Sequence, residues 1–117
     1  MDPVDRPLEI EVTPHGEALV CKLSGSAAME TCDRLDSRLA EVAQREPKLL
    51  VIDLGELDFI CSLGLGSIVA AYLRARRHDG AVRLAAPGPA IRELLEVTRL
   101  VTLLPVHDST AEALRGP

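Results

Sequence analysis

Residues 48 to 77 have the pattern of a buried strand, a short acidic loop and a helix, and this unit constrains the fold more than any other stretch. The apolar run at residues 50–52 has the length of a strand buried on both faces. Further on, apolar residues recur at helical spacing, at Leu65, Ile68, Val69, Tyr72 and Leu73. The first backbone N–H groups of a helix lack partners within it, so the corner at residues 58–67 suits a capping hydroxyl, an anion or an acidic group of a partner. We expect any binding function at this corner.

The rest of the chain places a hairpin before this unit and alternates helices with strands around it. The patterns predict strands over residues 8–12, 18–23, 48–54, 81–85 and 100–106, with turns at 13–16 and 24–26. They predict a first helix over 28–42 and a second from the corner to about residue 78. A third helix starts at 87–89, and a fourth runs from a cap at 108–109 to residue 114. The order β-β-α-β-α-β-α-β-α predicts an α/β fold, a small mixed β-sheet covered by helices, with parallel neighbours joined by right-handed crossovers.

Length and composition predict one domain. A chain of 117 residues with 47% hydrophobic residues can build a single core, so we expect one domain over residues 1–117. Residues 1–7 combine two prolines with three charges and are expected to be a flexible leader. The sequence shows no secretory leader and no apolar run of the roughly 18 residues that a membrane span needs. We therefore expect a cytoplasmic protein without direct membrane insertion.

The same composition argues against several classes of function. A formal charge of −5 disfavours non-specific binding to nucleic acid, and one Tyr, one Phe and no Trp leave few rings on which bases could stack. Three cysteines without C-x-x-C spacing indicate neither a disulfide framework nor a zinc site, and we interpret them as buried thiols. No other pattern of metal ligands and no nucleophile with its base is visible, so the sequence predicts no metal, no cofactor and no enzyme.

A dinucleotide site at the corner is a weak alternative. Gly64 and Gly66 match the start of a G-x-G-x-x-G fingerprint, but Val69 occupies the place of its last glycine. No acidic residue lies about twenty positions further on, where ribose recognition would require one. Nucleotide binding is therefore a minor hypothesis.

Two neighbouring corner residues have open interpretations. Ser62 is interpreted as an N-cap, its hydroxyl accepting a hydrogen bond from an early backbone N–H of the helix. Leu63 lies outside the apolar face of the helix. It either tucks under the loop or contributes to an apolar contact patch.

The segment VIDLGELDFICSLGLGSIV, residues 51–69, resembles the signature of the STAS domain family. This family includes anti-sigma-factor antagonists and the cytoplasmic tails of sulfate transporters. Its pattern is a strand ending in Asp-Leu, an apolar pair, and then Asp-Ser-Ser/Thr-Gly-Leu-Gly opening a helix. The resemblance covers nearly the whole chain, including the hairpin and the order of elements, and implies the STAS fold.

The resemblance also implies a function. In the antagonists, a partner kinase that is also an anti-sigma factor phosphorylates the second serine of the motif, which ends binding between the two. In this chain Leu63 occupies the acceptor position and Cys61 stands where the family has aspartate. Ala28 takes the place of a second aspartate, while Asp53 is retained. Ser62 matches the first serine and is the remaining candidate acceptor.

We therefore expect a non-enzymatic regulator that binds its partner through the corner and is not phosphorylated at the usual position. The expected partner-binding residues are Asp58, Cys61, Ser62, Leu63, Gly64 and Leu65. The expected partner is a serine-kinase anti-sigma factor. The alternative is an accessory scaffold subunit of a bacterial transporter of the lipid-transport type, docked on the transporter ATPase.

Overall fold

A computed structural model describes residues 6–115 of the chain. The strands are β1 Glu9–His15, β2 Ala18–Ala27, β3 Leu49–Ile60, β4 Ala81–Ala85 and β5 Val106–His107. The α-helices are α1 Cys32–Gln44, α2 Ser62–Arg76, α3 Pro89–Val97 and α4 Thr110–Arg115, and short 3₁₀ turns lie at Met29–Thr31 and Leu100–Thr102. This order confirms the predicted succession of strands and helices.

The five strands form one mixed sheet in the order β1-β2-β3-β4-β5. β1 and β2 form the predicted antiparallel hairpin. β2, β3, β4 and β5 run parallel to one another, as expected for strands joined through helices. The long strand β3 therefore lies at the centre of the sheet.

Side chains of β3 are buried on both faces of the sheet. Leu50 and Ile52 belong to the main core with residues of α1, α2 and α3. Val51 points the other way and packs with Ala113 of α4. Three helices therefore cover one face and the short C-terminal helix covers the other, which explains the continuous apolar run at the start of β3.

Strand β3 is longer than predicted. We expected it to end at Leu54 and an acidic loop to follow, but pairing with β2 continues to Ile60. Two register shifts put an extra residue into β3 opposite Lys22–Ser24 and again opposite Gly25–Ser26. Buried residues then recur every third position, at Leu54, Leu57 and Ile60, instead of every second. Because a regular strand buries every second residue, this spacing did not indicate that the strand continues past Leu54.

The predicted turn at residues 24–26 is also part of a strand, since β2 continues to Ala27. Gly25 adopts a φ of +82°, which is typical of turns, and a Cβ atom there would lie 2.0 Å from the carbonyl oxygen of Pro7. The glycine thus lets residues 6 and 7 lie against the end of β2, where the Ser26 N–H donates to the Arg6 carbonyl at 3.2 Å. Of the predicted leader, residues 1–5 lie outside the described part of the chain.

Two other element boundaries were wrong. β1 continues through Pro14 to His15, so the hairpin turn is shorter than expected; a proline is tolerated because β1 is an edge strand. The strand expected over 100–106 is a 3₁₀ turn followed by a two-residue strand. Leu104 is fully buried in the core, whereas Val101 and Leu103 are each 38% exposed. The apolar run therefore forms a turn that buries Leu104, and most of it is not a strand.

The helices begin and end close to the predicted positions. α1 buries the expected face with Leu35, Leu39 and Val42, although it begins at Cys32 because a 3₁₀ turn precedes it. In α2 the buried face is rotated from the prediction. Leu65 and Ile68 are buried as expected, but small residues complete the face and Leu73 is 51% exposed. Ser109 caps α4, with its hydroxyl accepting from the Glu112 N–H at 3.1 Å.

Candidate functional site

The corner between β3 and α2 lies at the carboxyl ends of two parallel strands. Ala27 at the end of β2 pairs with Ile60 at the end of β3. The Cys61 N–H then donates to the Ala27 carbonyl at 2.9 Å, which extends the ladder to the last residue before the helix. Loops and helix starts at this edge of a parallel sheet are the usual place for binding sites in α/β proteins.

The predicted partner-binding residues divide by exposure. Asp58, Ser62 and Leu63 are exposed, Cys61 is half-buried, and Gly64 and Leu65 are buried. The first group can contact a partner, whereas the buried pair can only shape the surface from beneath. Asp58 also pairs with Arg6 at 2.7 Å, so the segment before β1 reaches the corner.

Leu63 is the most informative residue of this group. It lies in the first turn of α2, and its side chain is 55% exposed. The interpretation that it tucks under the loop is therefore wrong. Two further apolar side chains at this end of the sheet are exposed, Met29 at 63% and Phe59 at 37%. Three exposed apolar side chains at this end of the sheet suit contact with a protein partner.

Gly64 is fixed by packing beneath the corner. A Cβ atom at this position would lie 2.7 Å from Cγ1 of Ile60 and 3.5 Å from Cδ2 of Leu35. By contrast, Gly66 is exposed, and a Cβ atom there would meet nothing within 4 Å. Of the two glycines in the motif, only Gly64 is required for the close approach of α2 to β3 and α1.

A polar contact joins α1 to α2 beside the corner. The hydroxyl of the buried Ser67 donates to Oδ1 of Asp36 at 3.1 Å. The two helices border an open groove of about 330 Å³. Its lining residues are Cys32, Asp33, Asp36, Ser62, Leu63, Gly66 and Ser67. The groove therefore presents an apolar residue, Leu63, beside two carboxylates.

The N-terminus of α2 is capped differently from the prediction. Cys61, in extended conformation, occupies the N-cap, and Ser62 is the first helical residue with its side chain exposed. The shift follows from the extension of β3 to Ile60. The first turn of α2 contains no acidic residue, and the Cys61 side chain makes no capping hydrogen bond of ordinary geometry.

This helix end acts on the Cys61 thiol. Burial raises its pKa, but the hydrogen bond with the Cys32 thiol and the backbone N–H groups of Gly64 and Leu63 outweigh burial, so the pKa of Cys61 is lowered. Burial and the contact with Cys61 together raise the pKa of the Cys32 thiol to about 11. Cys61 is therefore the more readily ionised thiol of the two.

The contact between these two thiols is the feature that the sequence did not indicate. Cys32 and Cys61 are far apart in the chain, yet their Sγ atoms lie 2.8 Å apart. Cys21 and Cys32 are buried as expected, whereas Cys61 is only half-buried, which differs from the expectation. Only the pairing of β2 with β3, which brings the start of α1 to the start of α2, could have revealed the pair.

Between residues 6 and 115, no three His, Cys, Asp or Glu side chains are arranged to hold a metal ion. No helix in the same part of the chain is long and apolar enough to cross a membrane.

Comparison with known proteins gives a consistent result. Residues 9–113 match the STAS domain model. The chain is 30% identical over 108 residues to the anti-sigma F factor antagonist of Paenibacillus polymyxa, with 92% of each chain covered. The crystal structure of an anti-sigma factor antagonist from Mycobacterium paratuberculosis superimposes with a TM-score of 0.86 at 30% identity, again over 92% of each chain. The unphosphorylated antagonist SpoIIAA, at 16% identity and a TM-score of 0.76 over 92% and 93% of the two chains, shares the fold. The chain therefore belongs to the STAS domain family.

Proposed function

We propose that this protein is a partner-switching regulator of the anti-sigma-factor-antagonist type, and that its corner stays in the binding state without control by phosphorylation at the usual position. The names of its relatives support the first part of the proposal. The exposure of Leu63 supports the second, and it is the observation on which the proposal rests. The partner is a serine-kinase anti-sigma factor, and the encounter takes place in the cytoplasm.

The charge at the start of α2 decides whether a partner can bind there. A phosphate would add about −1.5 to −2 charges to the surface, beside carboxylates that already line the groove. A helix N-terminus tolerates this charge, but an apolar patch of the partner that faces residue 63 does not. Leucine at position 63 cannot accept a phosphate and keeps the surface apolar. In this proposal the chain has no catalytic role.

The contact surface consists of the exposed corner residues. Leu63 provides the apolar centre, and the adjacent Ser62 and Asp58 near the end of β3 are also exposed. Asp33 and Asp36 on α1 give the rim a negative charge, which fits a partner with basic residues around an apolar patch.

Gly64 and Leu65 belong to the site as supports for this surface, since both are buried. Ser62, exposed on the first turn, is the remaining acceptor if any phosphorylation occurs.

Co-purification from the native host tests the proposal. Leu63→Asp puts a carboxylate where the family carries phosphate, and Leu73→Asp makes the same change at a 51% exposed leucine three turns along the same helix. We expect the parent and Leu73→Asp to recover a kinase-like anti-sigma factor. We expect Leu63→Asp to bind it at least about tenfold more weakly, which corresponds to about 1.4 kcal/mol.

The matched variant separates a local effect from a general effect of negative charge. Equal loss with both aspartates would show that the corner is not the contact surface. Recovery of transporter components by all three forms would instead support the scaffold subunit, which needs no switch residue.

A further inference from the structure

The two thiols at the corner form a pair with unequal chemistry. Cys61 is half-buried and lies at the N-cap of α2, whereas Cys32 is 6% exposed at the first position of α1. Their Sγ atoms are 2.8 Å apart, already within a hydrogen-bond contact, and the bond length of a disulfide is about 2.05 Å. Less than one ångström of movement along the line between the sulfur atoms separates the contact from a bond.

The surroundings of the two thiols favour oxidation of Cys61 before Cys32. A thiolate, not a thiol, is the form that reacts with peroxide, and thiolates are favoured at helix N-termini. Cys61 has this position and the lowered pKa, while Cys32 and the buried Cys21 both have pKa values raised to about 11, chiefly by burial. Cys61 is itself only half-buried, and Cys32 lines the open groove of about 330 Å³, so each residue of the pair borders solvent.

We infer that Cys32 and Cys61 form a reversible oxidation site, in which hydrogen peroxide or a similar small peroxide converts the pair to a disulfide. Three observations support this site: the sulfur contact, the partial exposure of Cys61, and the position of Cys32 beside the open groove. The inference concerns the chemistry of the isolated chain and stands independently of the proposed function.

The reaction balances in two steps. The Cys61 thiolate attacks one oxygen of hydrogen peroxide, the O–O bond breaks, and the products are a sulfenic acid on Cys61 and hydroxide, which is protonated to water. The Cys32 sulfur then attacks the Cys61 sulfur, the S–O bond breaks, and a second water leaves with the Cys32 proton. Two thiols lose two electrons and two protons, and the peroxide is reduced to two waters.

The oxidation site lies next to the exposed residues of the proposed contact surface. The disulfide would tie the start of α1 to the start of α2, beside the exposed Ser62 and Leu63. In a reducing compartment such a bond forms only transiently, which is the behaviour of redox-sensing cysteines and not of structural ones. An added thiol reductant would return both residues to the reduced form.

The test uses the purified full chain, reduced and then exposed to hydrogen peroxide. After the peroxide is removed, the chain is unfolded in urea and its free thiols are alkylated, and intact mass and peptide mapping identify the product. We expect one alkylatable thiol, Cys21, and a crosslinked peptide containing Cys32 and Cys61, both reversed by dithiothreitol. Cys21→Ala serves as the matched control and should form the same crosslink.

Two variants assign the order of the steps. Cys32→Ser should leave a sulfenic acid on Cys61 that dimedone traps, and Cys61→Ser should abolish both the crosslink and the trapped acid. Because these residues touch the core, the result with the parent chain decides the inference even if a variant does not fold. Three thiols that remain alkylatable in the parent, or a crosslink that includes Cys21, would overturn it.

Discussion

At the scale of single residues, the structure separates two glycines that the sequence presents as equivalent. Gly64 and Gly66 stand two positions apart at the start of α2, and both match the family motif. Only Gly64 lies against other side chains, with Ile60 and Leu35 close to where its Cβ would be. One glycine is therefore retained for packing, and the other has no such constraint within the described residues.

Gly64→Ala and Gly66→Ala should thus have opposite effects on stability. The added methyl at position 64 forces Ile60 to move in a packed core, at a cost of about 1–3 kcal/mol. The added methyl at position 66 enters open space, and alanine is favoured over glycine in a helix by up to about 1 kcal/mol. Urea unfolding of the two variants and the parent measures both differences. Equal destabilisation by the two would contradict this account of the corner.

Residue patterns could identify the corner but not its thiol pair. The motif at residues 51–69 indicated the candidate site because its glycines, leucines and aspartate are local in sequence. The contact between Cys32 and Cys61 depends on which strands are neighbours, and no local pattern contains that information. The exposure of Leu63 was likewise open, since it depends on where the helix begins.

At the scale of elements, apolar periodicity predicted most strands and helices and failed where the backbone is irregular. β4 was predicted at its observed bounds because it is a regular strand. β3 was cut short because two bulges change the spacing of its buried residues. The segment at 100–106 was wrong because a short apolar run in a turn, with Leu104 in the core, has the composition of a strand.

The end of β2 offers a test at this scale. Gly25→Ala would place a methyl against the Pro7 carbonyl and impose a left-handed φ on alanine, whereas Gly16→Ala imposes a similar φ in open space. The strain alone costs about 1–2 kcal/mol. We expect Gly25→Ala to be clearly more destabilising than Gly16→Ala in urea unfolding.

The same change should release the segment before β1. Hydrogen exchange at the Ser26 amide, which donates to the Arg6 carbonyl, should speed up in Gly25→Ala and not in Gly16→Ala. Unchanged protection at Ser26 would show that residues 6 and 7 are not held in this way.

At the scale of the whole molecule, one strand joins the two cores. Leu50 and Val51 are adjacent in β3 and belong to opposite faces, so neither core can lose its packing without exposing this strand. We therefore predict that the chain unfolds in one cooperative transition, as a single domain. Equal calorimetric and van't Hoff enthalpies would support this prediction, and an early separate loss of α4 would count against it.

The central claim is that the surface around Leu63 binds its partner without release by phosphorylation. The most direct measurement is dissociation of the complex between this protein and its kinase-like anti-sigma factor, with and without Mg-ATP, followed by phosphate mapping. The account predicts the same dissociation rate in both conditions and no phosphate on the chain. Faster dissociation with Mg-ATP, together with phosphate on Ser62, would contradict it.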